Sequence, residues 1–175
     1  FLNIFGAKIK NIRFLICKTD RAWTRDFLPI FIKDIKKRNV ISNWEFNGWA
    51  KYKNFKNDNR AFLKINNFKK IKVVKPKYNK KNIILEGGSI DVNGSGLLLT
   101  TMQCLLSKIQ QRNKGFKKND YNQIFNKFFG TRKVIWLNKG ICGDDTHGHI
   151  DDIARFISKN KIFIAIEKNK KDKNF

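Results

Sequence analysis

The chain has 175 residues, with 38 Lys or Arg against 14 Asp or Glu, a net charge of +24 and 41% hydrophobic residues. That apolar content suffices for one core and is too high for a disordered chain, while no apolar run approaches the ~20 residues of a membrane-spanning helix. Cys17, Cys104 and Cys142 are odd in number and widely spaced, which speaks against a disulfide scaffold or zinc ribbon and for a reducing, cytoplasmic compartment.

The charge balance first suggests a nucleic-acid partner. However, 30 of the 38 basic residues are Lys and 8 are Arg, whereas phosphate and base recognition favours the planar Arg fork. The lysines run along the whole chain beside abundant Asn, Ile and Phe, as a solvated surface under a compositional bias would show. We therefore expect no specific nucleic-acid partner and no membrane; a basic nucleic-acid-binding domain is the alternative of a different class.

The first stretch, "FLNIFGAKIKNIRFLIC", is interrupted by Lys8, Lys10 and Arg13 and lacks the shape of a secretory signal. In "TDRAWTRDFLPIF" Asp26 follows Arg25 and precedes an apolar strand, with Trp23 three residues earlier. Taken alone, Arg25 and Asp26 read as a surface ion pair and Trp23 as core. "DFLPIFI" and "VISNWEF" around "IKKRN" form a loose hairpin. Asn59 then precedes "RAFLKINNFKK", where Ala61, Phe62, Ile65 and Phe68 fall near helical spacing.

"ILEGGSIDV" ends an apolar strand on Glu86 and continues with Gly87 and Gly88, which suit either a plain turn or a backbone passing close to something bound. "SIDVNGSGLLLTT" reads as two strands joined at Asn93-Gly94. Asn119 is positioned to cap "DYNQIFNKFF", whose Tyr121, Ile124, Phe125, Phe128 and Phe129 form one apolar stripe ending at Gly130. "KVIWL" is a strand, and "DDIARFISKNKIFIAI" a hairpin turning at Ser158 to Lys161. Asp26, Glu86 and His149 each stand just ahead of a strand, turn and strand, 60 and 63 residues apart. Such a recurrence implies repeated supersecondary units, and units set around an axis bring equivalent strand ends together.

"GDDTHGHIDD", residues 143–152, holds both histidines and four of the acids. If extended, it puts His147, His149 and Asp151 on one face, a spacing similar to the H-x-H-x-D of metallo-β-lactamase-like hydrolases. Residue 152 is Asp where that motif needs His, and two histidines are too few for a nitrogen-rich zinc site. A purely structural loop is the other bland reading. The acids themselves suggest a third: carboxylates can grip a flat, permanently charged guanidinium through paired hydrogen bonds, and His149 beside Asp151 would add a proton carrier near neutral pH.

Together "AWTRDFLPIF", "WEFNGWAKY", "LEGGSIDVNGSGLLLTTMQCLL" and "FGTRKVIWLNKGICGDDTHGHIDDIARF" resemble the agmatine deiminases, within the bacterial-type peptidyl-arginine deiminase family of the guanidine-modifying, or pentein, superfamily. The resemblance runs in order from about Thr19 to about Ile166. It implies an α/β fold, a five-bladed α/β-propeller of ββαβ units. It also implies a hydrolase that converts agmatine to N-carbamoylputrescine and ammonia, on the route to putrescine, without metal or organic cofactor. Carried over by position, Asp26 and Asp151 grip the guanidinium, His149 is the general acid and base, Glu86 orients it, and Trp23 forms an aromatic wall. A relative acting on free or peptidyl arginine is the alternative, and homo-oligomer formation is left open.

The family's nucleophilic cysteine, in a Gly-rich stretch ending His-Cys, has no counterpart here. Cys142 matches a loop position, and Cys17 and Cys104 lie in apolar settings as packing residues. The chain opens on Phe rather than Met, and its last stretch, "EKNKKDKNF", has no finishing element. The expectation is a single incomplete pentein domain over residues 1–175, lacking an N-terminal portion and the C-terminal blades. Leu28 stands where Gly is common before Pro29, and His147 where Asn is usual.

Overall fold

The computed structural model describes residues 14–64 and 71–175. The opening stretch through Arg13 and the expected helical positions Ile65 and Phe68 lie outside the described residues. The fold is mixed α/β, and its plan repeats. A short helix α1 (Thr24–Phe27) leads into the antiparallel hairpin β1 (Ile30–Lys33) and β2 (Asn39–Ser42), paired from Ile30 with Ser42 to Lys33 with Asn39. Helix α2 (Lys56–Lys64) follows, and β3 (Lys72–Val74) returns parallel to β2. After a small hairpin, β4 (Lys77–Tyr78) and β5 (Lys81–Asn82), the plan recurs: β6 (Asp91–Val92) pairs antiparallel with β7 (Leu97–Thr101), α3 (Met102–Leu106) and α4 (Lys118–Phe129) intervene, and β8 (Lys133–Leu137) lies parallel to β7. A third hairpin, β9 (Ala154–Ser158) with β10 (Lys161–Ile164), opens the next recurrence. Each three-stranded sheet is a hairpin plus one parallel strand, and the parallel strand needs the helical crossover that precedes it.

The expected hairpins and the "KVIWL" strand form where the alternation and turn residues placed them. The Asn93 side chain, rather than a two-residue turn, shapes the β6–β7 connection, its Oδ1 accepting from Ser95 and Leu97 N–H. Two helix starts differ from expectation. Helix α2 begins at Lys56, so Asn59 is interior, and its side chain instead bonds Glu45 and the Phe46 N–H. Helix α4 begins at Lys118. Asp120, not Asn119, closes its first turn by accepting the Lys117 N–H at 2.7 Å, a carboxylate at the positive end of the helix dipole. Gly130 ends α4 in the left-handed conformation, φ +64°.

The α4 stripe faces the main core, where Tyr121, Ile124 and Phe125 pack with Trp44, Ile83, Leu85, Leu98 and Leu105. Phe129 stacks on Trp44 at 5.3 Å and Phe128 meets it edge-on at 5.4 Å. A second cluster joins Phe27 behind α1 to Phe46, Trp49 and Ala61. The backbone of Glu45 exchanges hydrogen bonds with Ile83 and Leu85, tying the segment after β2 to the one that delivers Glu86. Among the described residues no helix is long and apolar enough to cross a membrane.

Candidate active site

Asp26, Glu86, His149 and Asp151 come from three successive segments and meet at one place. Asp26 sits in α1 and is 8% exposed. Its Oδ2 accepts the Trp49 indole N–H at 2.9 Å and its Oδ1 the Gly88 N–H at 3.0 Å. Glu86, fully buried, precedes the turn Gly87–Ser89. The His149 ring, 3% exposed, lies between them: Nδ1 is 3.9 Å from both Asp26 Oδ1 and Asp151 Oδ1, and Nε2 is 3.8 Å from Glu86 Oε2. Glu86 Oε2 and His149 Nε2, both buried, have no hydrogen-bond partner among the described residues, so they face each other as a poised pair. The Asp151 N–H donates to the Gly88 carbonyl at 3.3 Å.

Gly88 is the close approach that makes this convergence possible. A Cβ there would lie 2.4 Å from His149 Nδ1 and 2.8 Å from Asp26 Oδ1. Its neighbour Gly87 is equally constrained, since a Cβ would meet the Arg25 carbonyl at 2.3 Å. The glycine pair lies in a turn, as one of the two sequence readings has it, and both positions are crowded by groups of the chain itself.

The loop carrying His149 is shaped by Asp144, whose carboxylate accepts from the N–H groups of Thr146 (2.7 Å), Gly148 (2.8 Å) and His149 (3.2 Å) and from the Thr146 hydroxyl. Arg112, 3% exposed, stands behind Glu86. Its Nε donates to Glu86 Oε1 at 3.0 Å, its Nη1 to the Gln110 carbonyl at 3.0 Å and its Nη2 to the Thr146 carbonyl.

These surroundings set the charges. Burial would raise Glu86, but the Arg112 charge and the imidazole outweigh it and bring the carboxyl down to about 2. Burial pushes Asp26 above the usual carboxylate range, against the pull of His149. Burial would lower His149, yet Glu86 and then Asp26 raise it above its ordinary value. The site thus combines an ionised glutamate with an imidazole whose hold on its proton is strengthened by the carboxylates around it.

His149, Asp26 and Asp151 line a cavity of about 580 Å³ together with Trp23, Trp49 and Tyr52. Trp23 stands at the rim, 67% exposed rather than in the core. Arg25 pairs with Asp151, Nε to Oδ2 at 2.7 Å, and not with the adjacent Asp26. Six aspartates and two arginines line the cavity, a formal excess of four negative charges on a strongly basic chain. A larger hollow of about 1070 Å³ is bounded by Ile164–Glu167 and Lys173–Phe175, and none of Asp26, Glu86, His149 or Asp151 lines it.

His147 belongs to that second hollow. With φ +64° it turns its Nε2 to the Ser107 hydroxyl at 3.1 Å. The backbone is therefore not extended here, and His147, His149 and Asp151 share no face. Cys104 packs in the main core as expected, but its Sγ also lies within 4.8 Å of ligand atoms of Glu86 and His149. A metal would need that thiol deprotonated, whereas burial raises it and Arg112 already occupies Glu86 Oε1. Cys17 bonds weakly to the Ala61 carbonyl, and exposed Cys142 edges the larger hollow. Sequence reasoning missed Arg112, Trp49 and Asp144. Trp49 lay inside a matching motif, but nothing in sequence tied it to a carboxylate 23 positions away.

Residues 3–175 match the family described as Porphyromonas-type peptidyl-arginine deiminase. An agmatine deiminase of Pseudomonas savastanoi pv. phaseolicola is 32% identical over 174 residues, covering 95% of this chain and 45% of its own. The solved C. jejuni agmatine deiminase with substrate bound, a cysteine-to-serine variant, superposes with a TM-score of 0.80 at 35% identity, covering 99% of this chain and 50% of that one. The agmatine deiminase of Enterococcus faecalis superposes with a TM-score of 0.78 at 29% identity, covering 89% and 42%. The chain spans about half the length of the relatives it matches. With residues 3–175 matched almost end to end, this chain belongs to the Porphyromonas-type peptidyl-arginine deiminase family.

Proposed function

We propose that the chain carries the guanidinium-binding and proton-transfer part of an agmatine deiminase site. Agmatine would become N-carbamoylputrescine and ammonia, in the cytoplasm and on a route to putrescine. The observation that carries the reading is the His149 ring held within 4 Å of Asp26, Glu86 and Asp151 at the wall of an acidic cavity. An excess of carboxylates suits agmatine, which is cationic at both ends, better than arginine, whose carboxylate they would repel. Trp23 and Trp49 give the flat cation aromatic surface.

In this mechanism Asp26 and Asp151 hold the guanidinium plane and its charge, with agmatine displacing Arg25 from Asp151. A cysteine thiolate attacks the guanidinium carbon, forming a C–S bond as the C–N π electrons move to nitrogen. His149 as imidazolium donates its proton to the departing nitrogen, the C–N bond breaks, and ammonia leaves an amidino-cysteine. Neutral His149 then takes one proton from water as the hydroxide adds to the same carbon; the added hydroxyl gives its remaining proton to solvent as the C=O bond forms and the C–S bond breaks, releasing the ureido product and the thiolate. Ionised Glu86 stabilises the imidazolium at Nε2. None of Cys17, Cys104 or Cys142 is placed for the attack, so the thiolate is assigned to chain beyond residues 1–175, which also completes a five-bladed α/β-propeller of ββαβ units.

The test is ammonia release from agmatine, arginine and peptidyl-arginine by the full-length protein. Agmatine turnover, reduced about 10³-fold in Asp26→Asn and in Asp151→Asn, is expected. Release from arginine substrates alone replaces the substrate assignment. No release, with salt-sensitive binding to DNA instead, overturns the enzyme reading.

A further inference from the structure

Arg112 has no part in the chemistry above, yet its charge is buried and every donor direction it uses reaches a different part of the site. Nε holds Glu86, Nη2 holds the Thr146 carbonyl in the loop that delivers His149, and Nη1 holds the Gln110 carbonyl. Gln110 in turn donates from Nε2 to the carbonyls of Trp49 and Asp145, each at 3.1 Å, and Trp49 is the donor to Asp26. One guanidinium fork therefore braces the general-base pair and, through Gln110 and Trp49, the carboxylate that receives substrate. Only Arg offers this planar set of donors; a fully buried carboxylate without it would be costly.

We propose that Arg112 is a positioning residue that fixes Glu86 against His149 and, by its charge, leaves the imidazole free to exchange its proton. The second part follows from what surrounds the ring. Glu86 faces Nε2, Asp26 and Asp151 face Nδ1, Cys104 lies beneath, Asp144 binds the His149 N–H, and Asp152 follows on the cavity wall. Burial opposes the imidazolium, Glu86 and then Asp26 favour it, and the Arg112 cation opposes it in turn. Arg112 and His149 share the one Glu86 carboxylate, at Oε1 and Oε2, so removing the cation leaves that anion to the imidazole alone and tightens its hold on the proton that it must exchange.

The catalytic meaning rests on the deiminase reading, but the test does not. The pKa of His149 is measured by histidine-selective NMR titration in the full-length protein and in its Arg112→Met and Arg112→Lys variants. Arg112→Met is expected to raise the His149 pKa by about one unit, as loss of a nearby cation should. Arg112→Lys, which keeps the charge, should leave it close to the wild-type value. His147, which also feels Arg112, should rise as well in Arg112→Met. A His149 pKa unchanged or lowered in folded Arg112→Met overturns the proposal. Should that variant not fold, Arg112→Lys decides: a His149 pKa raised by a unit although the charge persists is equally fatal. A failure of the deiminase reading would appear instead as absent turnover by the full-length wild-type protein, with these titrations unaffected.

Discussion

Replacing Gly88 with Ala tests the packing at the centre of the site. The φ angle of Gly88 lies outside the left-handed region, so the backbone accepts alanine and the added methyl acts through contact alone. That methyl would lie 2.4 Å from His149 Nδ1, 2.9 Å from His149 Cε1 and 2.8 Å from Asp26 Oδ1. Ordinary contact begins near 3.5 Å, so ring and carboxylate must retreat by about 1 Å. Neither can do so freely: His149 is backed by Glu86, and Asp26 is bound to the Trp49 indole. Overpacking of this kind costs about 1–3 kcal/mol, a large share of the roughly 5–15 kcal/mol that holds a domain folded. A displacement of about 1 Å at the reacting groups costs on the order of 100-fold in rate. Urea denaturation of the chain reads the first effect, and turnover by the full-length protein the second. Wild-type stability together with unmoved His149 NMR resonances in Gly88→Ala would falsify the contact argument.

Trp49→Phe keeps the aromatic surface and removes the N–H from Asp26 Oδ2. It should cost about 1–3 kcal/mol and weaken agmatine binding about tenfold, read from KM and thermal melting; unchanged values would mean that water replaces the indole. Glu86 drops from 4.5 to about 2 on folding. A depressed carboxyl stabilises the fold above its unfolded value, so this contribution is lost as pH falls from about 4.5 toward 2. Glu86→Gln should be destabilised by about 3–5 kcal/mol at pH 7, because Arg112 is left buried and unpaired, and the gap to wild type should narrow over that window; a constant gap on acid titration contradicts the assignment. Asp144→Ala strands the N–H groups of Thr146 and Gly148 and leaves the His149 N–H only the Thr146 hydroxyl, at 3.3 Å. A loss of about 2 kcal/mol in chemical denaturation is expected, with broadened His149 resonances; a variant indistinguishable from wild type removes Asp144 from the loop's support.

What could be read from sequence was local or repeated. The α4 stripe, the hairpins and the "KVIWL" strand follow from side-chain period and turn chemistry, which act over a few neighbouring residues. The placing of Asp26, Glu86 and His149 ahead of successive hairpins was visible because a recurring unit presents its strand ends in the same direction. The cap of α4 was misplaced by two residues, because Asn119 and Asp120 both suit a helix start and the choice depends on which side chain reaches back to Lys117. Arg112, Trp49 and Asp144 left no such mark. Their partners stand 26 and 23 positions away for the first two, and Asp144 matters only because its loop coils back on it. The orientation of His147 likewise depends on a single backbone angle and on Ser107, 40 residues earlier. Periodicity specifies which face of an element is buried; which charge neutralises a buried glutamate is settled when distant segments pack, since solvation and Coulomb energies depend on distance in space rather than along the chain.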